Sequence, residues 1–323
     1  MDNDISTLTE KILKDAQIEK DEARFLTTLN GSDVYKLFSY ANSIREFFRG
    51  NFIDLCSIIN AKSGACPEDC SYCAQSTHYN TKVDVYPLIS EYRIIERAKE
   101  AKKNGARRFC IVTSGRKIDN PDEIKTIATW ITQIRDIGLL PCATLGLLRE
   151  EDLYTLKEAG LNRYHHNLET SEAFFPEICT THTYREKVKT VKKAQELGLS
   201  VCSGGIFGIG EGWEERIEMA FSLRDLDVDS IPINFLNPIP GTPLEGMGYL
   251  NPIEALKIIA IYRFILPDKE IRICGGRNVA IRTLQPFIFL SGADGLLIGD
   301  YLTTQGRNPD DDLKIMEDLG LRW

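Results

Sequence analysis

Short runs rich in Val, Ile, Leu, Phe and Cys alternate along this chain with longer segments whose apolar residues return every three or four positions. The runs are Phe52–Ile59, Arg108–Thr113, Leu140–Leu145, Arg163–Asn167, Leu199–Phe207, Ser230–Leu236, Glu270–Cys274 and Gly295–Ile298. Apolar runs of this length predict strands buried on both faces, the mark of a parallel sheet. Between them lie Ser90–Asn104, Asp122–Ile137, Glu150–Ala159, Tyr184–Leu197, Glu211–Asp225, Pro252–Phe264 and Thr283–Leu290, which carry the amphipathic spacing of helices. Asn104-Gly105, Ala159-Gly160 and Leu197-Gly198 each place a glycine where a helix stops.

Eight strands separated by seven helices predict an α/β protein, and the count of eight favours a closed (β/α)8 TIM-type barrel over an open doubly wound sheet. The barrel is expected over residues 51–300. Residues 1–50 form an N-terminal helical extension, with Gly31-Ser32-Asp33 opening a helix over Val34–Phe48. Residues 301–323, around Pro309-Asp310-Asp311-Asp312, form a C-terminal helix or tail.

Composition narrows the classes of function. The 323 residues are 43% hydrophobic with a net charge of −8, enough for a sizeable core. An acidic balance argues against a nucleic-acid partner, whose phosphates need clustered Lys and Arg. No apolar stretch is long enough to span a bilayer, so no membrane association is expected. Met1-Asp2-Asn3-Asp4 lacks the basic and apolar regions of a signal peptide. A cytoplasmic location is expected, and there the nine cysteines read as free thiols or metal ligands rather than disulfides.

Three of them, Cys66, Cys70 and Cys73, stand in a C-x-x-x-C-x-x-C spacing directly after the first predicted strand. In a barrel that position is the catalytic mouth. Three thiolates for a four-iron cluster leave one iron open for chemistry. A structural zinc site, with His78 as fourth ligand, is the alternative; such sites normally carry a second paired motif.

The triad resembles the signature of radical S-adenosylmethionine enzymes. Its surroundings, Ala61-Lys62-Ser63-Gly64-Ala65-Cys66-Pro67-Glu68-Asp69-Cys70-Ser71-Tyr72-Cys73-Ala74-Gln75-Ser76, resemble the biotin synthase family. So do His166-Asn167-Leu168-Glu169-Thr170-Ser171, Val201-Cys202-Ser203-Gly204-Gly205, Pro232-Ile233-Asn234, Gly241-Thr242-Pro243-Leu244 and Leu302-Thr303-Thr304. The resemblance implies a 4Fe-4S cluster on the triad, with S-adenosyl-L-methionine chelating its open iron and yielding a 5′-deoxyadenosyl radical. The radical would draw hydrogen from C9 and then C6 of dethiobiotin, and sulfide from an auxiliary cluster would close the ring. It also implies a reducing electron-transfer protein of the flavodoxin or ferredoxin type as partner, and a homodimer.

Cys110, Cys142 and Cys202 would each read alone as a core cysteine. They fall on the second, third and fifth predicted strands, so their side chains can converge inside one barrel. The resemblance assigns them an auxiliary iron–sulfur cluster, 2Fe-2S or a larger variant, with Arg277 as an unusual fourth ligand. Cys274 is an extra thiol that could replace Arg277; strand alternation puts the two on opposite faces. The same resemblance sets Tyr72 beside adenine, Glu169 and Asn167 on ribose, Lys187 on the amino-acid carboxylate and Asn234 on the ureido ring of dethiobiotin. An exposed helix position is the other reading of Lys187. His165 and His166 read as core or neighbouring residues, and Cys56 and Cys179 as packing or loop.

Overall fold

The computed structural model describes residues 4–323. Its strands are β1 (Asp54–Lys62), β2 (Arg108–Thr113), β3 (Leu140–Thr144), β4 (Arg163–His165), β5 (Ser200–Cys202), β6 (Gly205–Phe207), β7 (Ser230–Phe235), β8 (Glu270–Ile273) and β9 (Gly295–Leu297). Every pair is parallel. β1 bonds to both β2 and β9, while β7 bonds to β5 and β6 on one side and β8 on the other. The sheet therefore closes on itself as an eight-membered barrel, its fifth member made of two short segments.

That split has a steric cause. The predicted strand Leu199–Phe207 breaks at Ser203-Gly204. A Cβ on Gly204 would sit 2.2 Å from the Pro232 carbonyl oxygen, and one on Gly205 would sit 2.2 Å from that of Glu169. The chain passes its neighbours at a distance only glycine permits. Gly204 O meanwhile accepts hydrogen bonds from the amides of Leu168 and Glu169, carrying β4's pairing past the break.

Three helices precede the barrel: α1 (Ile5–Leu13), α2 (Lys20–Thr28) and α3 (Ser32–Arg49). Around it lie α4 (Glu91–Lys103), α5 (Pro121–Ile137), α6 (Glu150–Glu158), α7 (Phe175–Ile178), α8 (Tyr184–Glu196), α9 (Trp213–Asp225) and α10 (Pro252–Ile265). After α11 (Arg277–Ala280), the helix expected over Thr283–Leu290 is broken into a single 3-10 turn (Arg282–Leu284) and α12 (Phe287–Leu290), with Pro286 between them. A proline has no amide hydrogen to continue the ladder. Helix α13 (Pro309–Asp318) closes the chain. α10 is buried along most of its length because α3 covers the face it turns away from the barrel. The N-terminal extension thus completes the helical ring rather than hanging from it.

The barrel's lower end, at the strand N-termini, is closed by charge. Arg108 and Arg272 donate to the Asp54 carboxylate, Arg163 and Arg272 to that of Glu270, and Ser230 to Glu270 at 2.8 Å. All of these side chains are buried. Ligands therefore reach the interior from the opposite end, where the strands stop.

Candidate active site

The loop after β1 folds onto the end of α7 rather than into solvent. Cys66 and Cys73 are held by backbone bonds inside the loop: Cys66 N donates to Gln75 O at 3.0 Å, Thr77 N to Cys66 O at 2.8 Å and Cys73 N to Cys70 O at 2.9 Å. Ser71 N donates to Ile178 O at 2.9 Å. The Asp69 carboxylate accepts from the amides of Thr180 and Thr181 at 2.9 and 3.2 Å. Burial pushes Asp69 up, but these bonds outweigh it and hold the carboxyl well below the usual carboxylate range. These bonds tie the loop to the end of α7 and the residues that follow it.

Behind it opens a cavity of about 420 Å³. Alternate residues of each strand line it, as the period of two requires. Nearest the charged floor come Arg108, Arg163 and Arg272. Above them lie five thiols, Cys56 on β1, Cys110 on β2, Cys142 on β3, Cys202 on β5 and Cys274 just past β8. Cys110 and Cys142 are direct cross-strand partners. Cys110 Sγ lies 3.5 Å from Thr144 Oγ1, and Cys202 Sγ 3.5 Å from Ser230 Oγ. Burial pushes every one of these thiols above its ordinary value, Cys274 to about 12. Without a metal they are protonated at neutral pH.

Arg277 is not among the lining residues. It leaves β8's line past Gly275 and Gly276, which has φ of 76°, and its guanidinium donates to Gln285 at 2.7 Å and to the Asp312 carboxylate. Arg272, two residues before Cys274 and on the same face, is the arginine that borders the thiols. The expectation of Arg277 beside the auxiliary cysteines is corrected accordingly. Cys56, read as packing or loop, also proves to face the cavity. Period-two alternation in β1 and β8 carried both signals: Cys56 shares a face with Asp54, and Arg272 with Cys274.

Toward the mouth, Tyr72, Cys73, His165, His166, Asn167, Glu169, Lys187 and Asn234 line the same cavity. Glu169 takes φ of 74°, a left-handed backbone rare for a non-glycine residue. Its carboxylate accepts from Asn167 Nδ2 at 3.3 Å and lies 4.0 Å from Lys187 Nζ. Burial raises the Glu169 carboxyl and the Lys187 charge opposes that rise. Lys187 is buried, so the exposed-helix reading does not hold. Asn167 Oδ1 also meets His165 Nε2 at 2.8 Å and Gly204 N at 3.1 Å. Burial takes His165 down to about 4, so it is neutral. The Asn234 amide is shared between Gly205 O, 3.2 Å away, and Gly275 N, 3.0 Å away. It braces β6 against the turn after β8 as well as facing the cavity.

A strap from Tyr301 to Thr304 crosses one side of the mouth. Arg277 and Arg307 both hold Asp312 on α13, which follows the strap. His78, the zinc alternative, is exposed, with its Nε2 3.0 Å from Pro67 O. Neither the triad nor the ring of five offers three donors within 4.8 Å of one another, and only Cys70, Cys179 and His182 do so among the described residues.

Two family models cover most of the chain. One described as the Radical SAM superfamily matches residues 61–223, and one described as the Biotin and Thiamin Synthesis associated domain matches residues 232–322. The biotin synthase of Geobacter sulfurreducens is 51% identical over 316 residues, spanning 98% of this chain and 96% of that one. The biotin synthase of Citrifermentans bemidjiense is 50% identical over 323 residues, spanning 100% and 98%. The chain belongs to the biotin synthase family.

Solved structures of more distant proteins share the fold of this biotin synthase family member. A methylornithine synthase superposes with a TM-score of 0.84 at 20% identity, over 98% of this chain and 96% of that one. The FeFe-hydrogenase maturase HydG from Carboxydothermus hydrogenoformans superposes with 0.82 at 17%, over 98% and 78%. At such identities the likeness establishes the barrel alone. The cofactors of the biotin synthase family fit the residues present. Thiols stand at the mouth and in the ring, Glu169 and Lys187 offer opposite charges between them, and His166 Nε2, in the cavity wall, has no hydrogen-bond partner.

Proposed function

We propose that this chain is a biotin synthase, inserting sulfur between C6 and C9 of dethiobiotin with two S-adenosylmethionine molecules and sulfide from an auxiliary iron–sulfur cluster. The observation that carries the reading is the ring of inward thiols at the base of the cavity whose mouth holds the Cys66, Cys70 and Cys73 loop. A sibling enzyme that only makes the radical has no need of such a ring.

In this reading the triad cysteines hold the 4Fe-4S cluster, and Cys110, Cys142 and Cys202 the auxiliary cluster, bordered by Arg272, Cys274 and Cys56. The bound groups supply a carbon-abstracting radical at the mouth and sulfide at the base. The protein supplies positions and charges. Glu169 accepts hydrogen bonds from the ribose hydroxyls, with Asn167 steadying its carboxylate. Lys187 offers its ammonium to the amino-acid carboxylate, as a point charge without the fork of an arginine. Tyr72 packs against adenine. Asn234, already holding two strands together, presents its amide toward the ureido group from a fixed position. The charged floor and the strap keep water from both ends of the reaction path. A one-electron donor of the flavodoxin or ferredoxin type suits a cycle that starts with reduction at the mouth.

Anaerobic reconstitution with iron, sulfide and a reductant, followed by dethiobiotin and S-adenosylmethionine, tests the function directly. Biotin is the expected product; cleavage of S-adenosylmethionine with no biotin would assign the chain to a sibling chemistry. Counting iron and sulfide per chain in Cys274→Ser tests the auxiliary set. If Cys274 is a ligand, both fall at the auxiliary cluster and remain at the mouth. Unchanged counts remove Cys274 from the set.

A further inference from the structure

One cluster of donors has no place in the chemistry above. Cys179 and His182 follow α7 and stand against Cys70 of the mouth loop. Cys179 Sγ lies 3.8 Å from Cys70 Sγ and 3.3 Å from His182 Nδ1. Asp69 Oδ1 is 3.3 Å from Cys179 Sγ, and Glu68 hydrogen-bonds to the same His182 Nδ1, a contact that an ion on this nitrogen would replace. Cys179, His182 and Glu68 are buried, so these groups meet away from bulk water.

We propose that in the cluster-free chain Cys70, Cys179 and His182 bind one divalent transition-metal ion, Fe2+ or Zn2+, with water as the fourth ligand. Tetrahedral geometry supports this. Metal–sulfur bonds of about 2.3 Å place two thiolates about 3.8 Å apart, and a metal–nitrogen bond of about 2.0 Å places an imidazole nitrogen about 3.5 Å from a sulfur. The observed separations of 3.8 and 3.3 Å match two sides of that frame, and the third, Cys70 Sγ to the imidazole, is within 4.8 Å. Two thiolates with an imidazole form a donor set that prefers borderline-soft ions over Mg2+ or Ca2+.

Cys70 belongs to both sets, so the two states exclude each other. With the ion bound, Cys70 is capped and the triad is one thiol short. Installing the mouth cluster requires Cys70 to exchange from the ion to the cluster, leaving Cys179 and His182 behind. The site is thus a holding position on the assembly route, and its existence is independent of which reaction the finished enzyme performs.

Cobalt titration of the full chain, stripped of iron and kept anaerobic and reduced, tests it. One equivalent of Co2+ is expected, with tetrahedral d–d bands and thiolate-to-cobalt charge transfer. Cys66→Ser and Cys73→Ser retain that signal. Cys179→Ser and His182→Gln weaken it at least about 100-fold, while circular dichroism shows that both variants are folded. Iron and sulfide added afterwards bleach the cobalt bands in the parent chain. The proposal is overturned if the folded parent chain binds no stoichiometric cobalt. It is also overturned if Cys66→Ser or Cys73→Ser abolishes the signal while Cys179→Ser keeps it, since the ion would then sit on the triad. Biotin formation by the reconstituted enzyme reads out separately, so either result can fail without the other.

Discussion

Arg272 and Arg277 sit five residues apart and act in different parts of the molecule. Arg272 reaches into the barrel between the thiols and the floor, whereas Arg277 anchors the C-terminal helix through Asp312. Replacing Arg277 with Met leaves the Asp312 charge buried with only Arg307 beside it. The expected loss of stability is about 3–5 kcal/mol by denaturant unfolding, with the iron content of each folded chain unchanged. A fall in auxiliary iron at unchanged stability would restore Arg277 to the ligand set. The ring thiols carry a pH signature. Their folded values lie above the ordinary thiol range because burial disfavours the thiolate. A raised value means a contribution to the stability of the cluster-free chain that is complete below the unfolded pKa of about 8.5 and is lost as pH rises beyond it. Ligation needs the thiolate, so each ligand releases a proton on binding. Auxiliary cluster loading, followed by its visible absorption, is expected to speed up from about pH 7 to about pH 9. A pH-independent rate would contradict the buried, protonated ring.

At the scale of elements, the break between β5 and β6 sets the geometry of the mouth. It lets the Glu169 backbone come against Gly205 and keep its left-handed turn. Gly205→Ala places a methyl group 2.2 Å from the Glu169 carbonyl oxygen, so β4's extension and the Gly204-Gly205 segment must separate. Binding of S-adenosylmethionine, measured calorimetrically on the reconstituted enzyme, is expected to weaken at least tenfold, about 1.4 kcal/mol, with the ring's iron retained. Unaltered binding would show that the close approach is dispensable. Strand order was legible in the spacing of apolar runs, and so were the triad and the convergence of Cys110, Cys142 and Cys202. Those signals are local or periodic. The interruption at Ser203-Gly204 is set by neighbours from β4 and β7, which are distant in sequence. The same holds for Arg277, whose partner Asp312 lies 35 residues further on. Lys187 looked like a surface residue because its helix is otherwise strongly polar; its burial comes from packing near the mouth, within reach of Glu169 and Phe175.

For the whole molecule, the buried floor joins strands from opposite sides of the barrel. Arg163 on β4 and Arg272 on β8 meet at Glu270, and Arg108 on β2 meets Arg272 at Asp54. The arginines outweigh burial and hold Glu270 well below the usual carboxylate range. Glu270→Gln leaves Arg163 and Arg272 without their shared counter-charge. It is expected to cost about 3–5 kcal/mol of stability with little dependence on salt, since the pairs are out of reach of mobile ions. A loss that vanished in high salt would mean the floor is wet. The N-terminal helices act at the same scale: α3 covers α10, so removing the extension would expose an apolar helix rather than trim a tail.

A floor sealed by ion pairs also sets an order on traffic. Whatever is used up at the bottom of this vessel must be replenished through the neck by which the reactants arrive. With the auxiliary cluster as the sulfur source proposed above, refilling and turnover therefore take turns at that neck.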